Sequence, residues 1–366
     1  MKMLKCGERI VRCFTGKEID RVPFGMGIGW SIWPRTLENW KRETGNPDIC
    51  PAQEFGYEKS FALPRLESGA FPHFEERIIE EDEEHVISVD YRGITLKNRK
   101  DNLSMPDFIS YPVSKEEDWE KYKNERLKIG DKERIRENWD EFRSRIKATG
   151  EAVQVGNFPW GMFGTARDML GFEGLMFALM DNPGMVKDIM NHFTGLWISI
   201  WEEVAREVQI DHIHIWEDMS GKQGPLISPA MVEKFMMPCY DRVADFAQAH
   251  NVRLMSVDTD GDCSELLPVF MRHGVNVVFP FEVQAGSDVL RYREEYPKLG
   301  IWGGLDKRAL AGSSADIDRE IEKAAVMVRQ GRYVPMFDHS IPPDAKWENF
   351  KKAAVEIRKI CNSVRR

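Results

Sequence analysis

The chain has 366 residues, 42% hydrophobic and 30% charged, the balance of a soluble globular protein long enough to bury one large core or two smaller ones. A formal net charge of −9 disfavours a nucleic-acid or anionic-membrane partner, and no dense Lys/Arg run follows an aromatic platform. No segment approaches the roughly 20 apolar residues of a membrane span, and the opening Met1-Lys2-Met3-Leu4-Lys5-Cys6 lacks a signal-peptide core, so a cytoplasmic location is expected.

Residues 1–150 read as irregular. An amphipathic opening, Glu8 to Phe14, leads through the Lys17-Glu18-Ile19-Asp20 turn into a short strand, Val22 to Met26. An aromatic loop, Gly29-Trp30-Ser31-Ile32-Trp33-Pro34-Arg35, enters a helix expected over Thr36 to Glu43. Alternating residues between Glu75 and Arg99, around the Arg92-Gly93 turn, predict an antiparallel hairpin inserted over or beside the mouth of a larger scaffold. The Lys-, Glu- and Arg-rich stretch 113–148 predicts solvated helices.

Residues 151–366 follow a strand-then-helix rhythm. Strands are expected at Ala152–Gly156, Ile210–Trp216, Val252–Val257, Val275–Phe281, Leu299–Gly303 and Tyr333–Met336. Helical stretches such as Pro229–Ala249, Val289–Tyr296, Ala315–Gln330 and Trp347–Ile360 follow them, so the strands should be parallel and covered by helices. Adding Val22–Met26 and one further strand from the irregular part gives a (β/α)8 TIM-type barrel. It is expected as one domain over residues 1–366, with an N-terminal extension and the β-hairpin insertion. No GxGxxG or P-loop follows any strand, so no nucleotide cofactor is expected.

In such a barrel the loops after the strands carry the site, and Ser256-Val257-Asp258-Thr259-Asp260-Gly261-Asp262 crowds three carboxylates at one strand end. Their repulsion requires a cation, a shared proton or donors on a substrate, unless the segment is a solvated turn. Polar groups recur at strand ends at Glu217-Asp218, Glu282, Asp306 and Asp338-His339, which suggests one shared pocket. The cysteines at 6, 13, 50, 239, 263 and 361 form no CxxC and no His-x-Cys, and read as small buried hydrophobes; Cys263 alone adjoins the acidic loop.

Glu18-Ile19-Asp20-Arg21-Val22-Pro23, Gly224-Pro225-Leu226-Ile227-Ser228-Pro229 with Pro238, Gly303-Gly304-Leu305-Asp306, and His339-Ser340-Ile341-Pro342-Pro343-Asp344 before Glu348-Asn349 together resemble the uroporphyrinogen decarboxylase superfamily. The resemblance spans nearly the whole chain. It implies a (β/α)-barrel enzyme of one of two kinds: cofactor-free porphyrinogen decarboxylases, or zinc-dependent methyltransferases that move methyl groups between corrinoid proteins and thiols such as coenzyme M.

Both kinds meet departures here. The decarboxylases hold propionates with an Arg-Gln-Ala-Gly-Arg loop and grip pyrrole nitrogens with the Asp of a Ser-Asp motif. This chain has Trp30-Ser31-Ile32-Trp33-Pro34-Arg35 in place of the first and lacks the second, so uroporphyrinogen decarboxylation is not expected. The methyltransferases hold zinc with His-x-Cys, a Glu and a Cys. Aligning the following Gly places Asp258, Asp260, Glu282 and His339 at those positions, a harder donor set that would suit Mg²⁺, Mn²⁺, Fe²⁺ or a weaker Zn²⁺ site. The alternative is that no metal binds and the same groups donate and accept protons.

The expected site therefore has His339, Asp258 and Glu217 as catalytic groups, and Asp258, Asp260, Glu282 and His339 as metal ligands if a divalent cation binds. Arg35, Trp30, Trp33, Trp160 and Phe163 are expected to bind substrate. Asp262 reads as the cap of a helix near Ser264, and His212 and His214 as packing residues. The leading function by resemblance is methyl transfer with a corrinoid protein or a methylated small molecule. A decarboxylase or lyase, and a tetrapyrrole- or corrinoid-binding module, are the alternatives. The Met-rich stretch Met231 to Met237 allows a homodimer.

Overall fold

The computed structural model describes residues 3–101 and 105–363. Met1 and Lys2, part of the opening read for a signal peptide, lie outside the described residues. A parallel sheet forms the centre. In chain order its strands are β1 (Phe61–Ala62), β6 (Ala152–Val155), β7 (His212–Trp216), β10 (Leu254–Thr259), β11 (Val277–Pro280), β12 (Gly300–Trp302) and β13 (Tyr333–Val334), adjacent in that same order. Their residues are almost all buried on both faces, as expected of strands packed between a barrel interior and an outer helix layer.

The expected strand Val22–Met26 is not a ladder strand. The chain there is extended but irregular, and it closes the ring through single contacts. Glu58 N donates to Phe24 O, Trp30 Nε1 to Pro335 O, and Ile341 N to Ser31 O, with a parallel bridge between Ile32 and Ile341. Gly25 and Gly27 both hold positive φ, and glycine tolerates the bends that interrupt the strand. β1, only two residues long, was too short to show a period in the sequence. The helix Cys6–Thr15 plugs the opposite end of the barrel, where Phe14 meets Trp302 at 5.8 Å between ring centroids.

The expected hairpin is a four-stranded antiparallel sheet of β2 (Arg77–Glu81), β3 (His85–Val89), β4 (Thr95–Arg99) and β5 (Asp107–Ser110). Its Asp90–Gly93 turn docks on the helix Met162–Leu170 beside the mouth. Arg92 bonds Asp90 at 2.8 Å and also Asp168, whose carboxyl is raised by burial and pulled back by Arg92. Arg92→Leu should leave Asp168 buried without this partner and lower stability at pH 7 by about 3 kcal/mol. Urea denaturation of the two proteins would measure it.

A short ribbon of β8 (Ser220–Gly221) and β9 (Gly224–Pro225) stands on the acidic loop. The expected helix Pro229–Ala249 is two, Pro229–Phe235 and Met237–Ala249, with Pro238 in the first turn of the second. Met236 and Met237 at this joint are buried, so these two residues of the Met-rich stretch supply no interface with a second copy. Among the described residues no helix is long and apolar enough to cross a membrane.

Candidate active site

Side chains on inward positions of the strands build the site from its floor. On β7 and β10 the register pairs His214 with Ser256 and Trp216 with Asp258, and on β11 Phe279 pairs with Asp258. A buried chain of hydrogen bonds crosses the floor: Gln154 Oε1 to His212 Nδ1 at 3.0 Å, His212 Nε2 to Ser256 Oγ at 2.7 Å, and Ser256 Oγ to His214 Nδ1 at 2.9 Å. His214 stacks on Phe279 at 5.2 Å, which packs on Trp302. Burial lowers the pKa of both imidazoles, His214 to about 4, so both are neutral. The packing reading of these histidines captured their burial and missed the chain that links them. Their alternation on one strand was the available signal.

Above the floor lies the acidic rim. Gly261 turns the acidic loop with φ +74°, and a Cβ there would fall 2.5 Å from Ser220 O, so only glycine lets the loop lie against β8. Asp218 is held by Arg167 at 2.9 Å. Glu282 accepts from Gly261 N at 3.0 Å and lies 3.7 Å from Lys307 Nζ. His339 Nε2 is 3.8 Å from Asp260 Oδ2. The Asp258 carboxylate has no hydrogen-bond partner among the described residues. Burial, then Asp260 and Asp218, raise its pKa well above the ordinary range; burial, Asp218 and Glu282 raise Asp260 to about 7. His339 is lowered by burial and by Lys307.

Other strand-end acids hold the loops rather than the mouth. Glu217, fully buried, accepts from the N–H groups of Met162, Phe163 and Gly164 and from Tyr240 Oη at 2.7 Å, which makes it the cap of the helix Met162–Leu170. The expectation of Glu217 as a catalytic group is corrected on that ground: both its oxygens are spent on fixed internal donors. Asp338 ties Val283 N to Lys307 N, and Asp306 binds Arg308. Asp262 accepts from Ser264 N at 3.0 Å in the turn ahead of the helix, which begins only at Leu267 with no side-chain cap, so the expected helix cap is a local turn bond. Cys263 is buried, its thiol pushed up to about 12, and is therefore inert.

The expected substrate-binding aromatics divide. Trp30 is core, between Phe24, Tyr57, Phe337 and Phe350, and Phe163 is fully buried in its helix, so neither meets the mouth. Trp160 packs over Gly69, while Trp33 stays half-buried beside Ile341. Arg35 points to the surface and pairs with Glu38 at 3.3 Å, which removes it as an anion anchor in the mouth. The sequence reading missed Trp216, at the end of β7 under Arg167, and Phe158, 62% exposed and edge-on to Trp216 at 4.7 Å.

Asp258, Asp260, Glu282 and His339 all reach the same mouth, but they do not fit a metal ion as they stand. Among the described residues no group of three or more His, Cys, Asp or Glu side chains is gathered closely enough to hold one. Glu282 is turned to Gly261 and Lys307, and no thiolate supplies the soft donor that favours zinc.

The sequence model of the family described as Uroporphyrinogen decarboxylase (URO-D) matches residues 86–360. No curated protein sequence matches the chain. Among solved structures, a methyltransferase from Methanosarcina mazei is similar with a TM-score of 0.59 and 16% identity, over 97% of this chain and 98% of that one. A glycosylated endo-beta-1,4-xylanase from Gloeophyllum trabeum aligns with a TM-score of 0.34 and 12% identity, over 61% and 81% of the two chains.

Proposed function

The chain belongs to the uroporphyrinogen decarboxylase (URO-D) family, and from that premise we propose that it is a methyltransferase acting at the barrel mouth. The observation that carries this reading is electrostatic. Asp258 has no cation beside it among the described residues and Asp260 only the pull of Lys307, which Glu282 shares, while Arg167 stands beside Asp218 and Arg35 lies outside. A carboxylated substrate, as a decarboxylase needs, would meet repulsion there rather than a clamp. Similarity in fold to a methyltransferase is in keeping with the proposal.

In this reading Asp258 and Asp260 hold one proton between them. The ionised carboxyl removes the proton from the acceptor X–H as the X–CH3 bond forms, and the bond from methyl to donor breaks with its electron pair leaving on the donor. The protonated carboxyl holds the acceptor by a hydrogen bond, and His339 stands 3.8 Å from Asp260 to pass the proton outward. A corrinoid on a partner protein would supply an activated methyl group.

Free methylcobalamin with a panel of thiol and amine acceptors tests the proposal, read by loss of the methyl–cobalt absorbance. Enzyme-dependent demethylation is expected with at least one acceptor, and uroporphyrinogen should remain unchanged. Conversion of uroporphyrinogen to coproporphyrinogen would replace the proposal with decarboxylation, and failure with every acceptor would remove methylcobalamin-dependent transfer.

A further inference from the structure

Beneath the acidic rim one ring nitrogen has no partner, and the buried chain fixes what that nitrogen is. Gln154 Nε2 donates to Gly156 O at 3.2 Å, which leaves Gln154 Oε1 as the acceptor facing His212. His212 Nδ1 therefore carries the proton and its Nε2 accepts from Ser256 Oγ–H. Ser256 Oγ, its proton committed, accepts from His214 Nδ1–H. A neutral His214 is left with a bare lone pair on Nε2, and no described residue donates to it.

That lone pair belongs to the mouth. His214 is only 8% exposed, yet it occupies the inward position of β7 next below Trp216, which is paired with Asp258. Asp258 likewise has no donor among the described residues, and a cation beside it would leave the proton it shares with Asp260 on Asp260. These two acceptors on neighbouring strands lie at the level of Phe279, on which His214 stacks, and of Trp216, whose ring Arg167 covers at 5.3 Å while it pairs with Asp218. Anions and carbonyl groups have nothing to offer either acceptor. A group that brings both N–H donors and positive charge satisfies the two together.

We propose that the barrel floor is a subsite for a protonated amine, whose N–H groups donate to His214 Nε2 and the Asp258 carboxylate while its carbon skeleton lies against Trp216. This rests on the reading of the mouth as the substrate end of the barrel. It names the substrate class as an alkylammonium compound, and it makes His214 a substrate-binding residue.

Protein labelled with ¹⁵N in its histidine rings, titrated with propylammonium, propionate and 1-propanol in turn, tests the subsite. Propylammonium should bind in preference to the other two and shift His214 Nε2, which should resonate as an unprotonated nitrogen in the free protein. Asp258→Asn should weaken propylammonium by at least about tenfold, as loss of a charge-assisted bond does. His214→Phe keeps the stack on Phe279 and should weaken it comparably; should that variant misfold, Ser256→Ala frees the His214 tautomer and should weaken binding to a smaller extent. Propionate binding as tightly as propylammonium, or propylammonium affinity unchanged in Asp258→Asn and the histidine-chain variant, overturns the subsite alone. Failure of all three probes to bind overturns the subsite together with the reading of the mouth.

Discussion

Glu217→Ala should destabilise the protein by about 4 kcal/mol, enough to consume a large part of a typical folding free energy. The substitution strands four buried donors at once: three backbone N–H groups at the start of the helix Met162–Leu170 and the Tyr240 hydroxyl. Those N–H groups carry the positive end of the helix dipole, so the lost group is the charge that the dipole favours. Burial pushes the Glu217 pKa up to about 7 against the pull of the four donors. Glu217→Gln should recover part of the loss, because one amide oxygen still accepts while the NH2 faces donors. Urea denaturation of the three proteins decides the matter. An Ala variant as stable as the parent but without activity would return Glu217 to the catalytic set.

Asp258→Asn and Asp260→Asn are expected to do the opposite: lower methyl transfer by at least about a hundredfold and raise stability at alkaline pH. The sign follows from where each proton is held more tightly. Asp260 is raised from an ordinary 3.8 to about 7 in the folded protein, first by burial and then by Asp218 and Glu282. Between those values the folded state binds the proton more strongly than the unfolded chain. The stability it contributes is therefore full below about pH 4 and lost as pH rises through about 7. Asp260→Asn removes that loss. Allowing for the 35% exposure of the side chain, which lets solvent screen the repulsion, the gain at pH 8 should be about 1 to 2 kcal/mol and should vanish at pH 4. Denaturation at the two pH values measures the gain, and the methylcobalamin assay measures the activity. Equal stability of parent and variant at pH 8 would show that the repulsion is already relieved, and with it the case for a shared proton would fall.

The opposite behaviour of Glu217 and Asp258 comes from environment, since both are carboxylates at the ends of adjacent strands. One meets four fixed donors; the other meets further carboxylates and an open mouth. Carboxylate repulsion tolerated in a folded protein is a cost that function explains more readily than packing does. The same reasoning separates Asp338 and Asp306, which hold loops, from Asp260, which does not.

The six strands from Ala152 onward and their parallel sense were legible in the sequence, whereas Val22–Met26 formed no ladder and β1 was too short to read. Buried strands between helices read as continuous apolar runs, and Val277 to Phe281 carries that signature locally. The turn chemistry was legible too, from the polar turn at Asp262 to the Asp90–Gly93 turn, because such bonds join residues two to four apart. That Asp258, Asp260, Glu282 and His339 stand at strand ends was legible as well, since strand ends of a barrel share one rim, but among the described residues no three such groups gather closely enough to hold a metal.

Tertiary structure alone decided which polar groups were consumed. Glu217 is spent on a helix more than 50 residues away in sequence, and the floor chain from Gln154 to His214 spans three strands. Trp30 and Phe163 fell into the core, and Arg35 turned outward to Glu38, because packing rather than local pattern selects a side chain's partners. A residue's type states what bonds it can make. Only the folded chain, by bringing distant donors and acceptors to hydrogen-bond range, decides which of them remain free for a substrate.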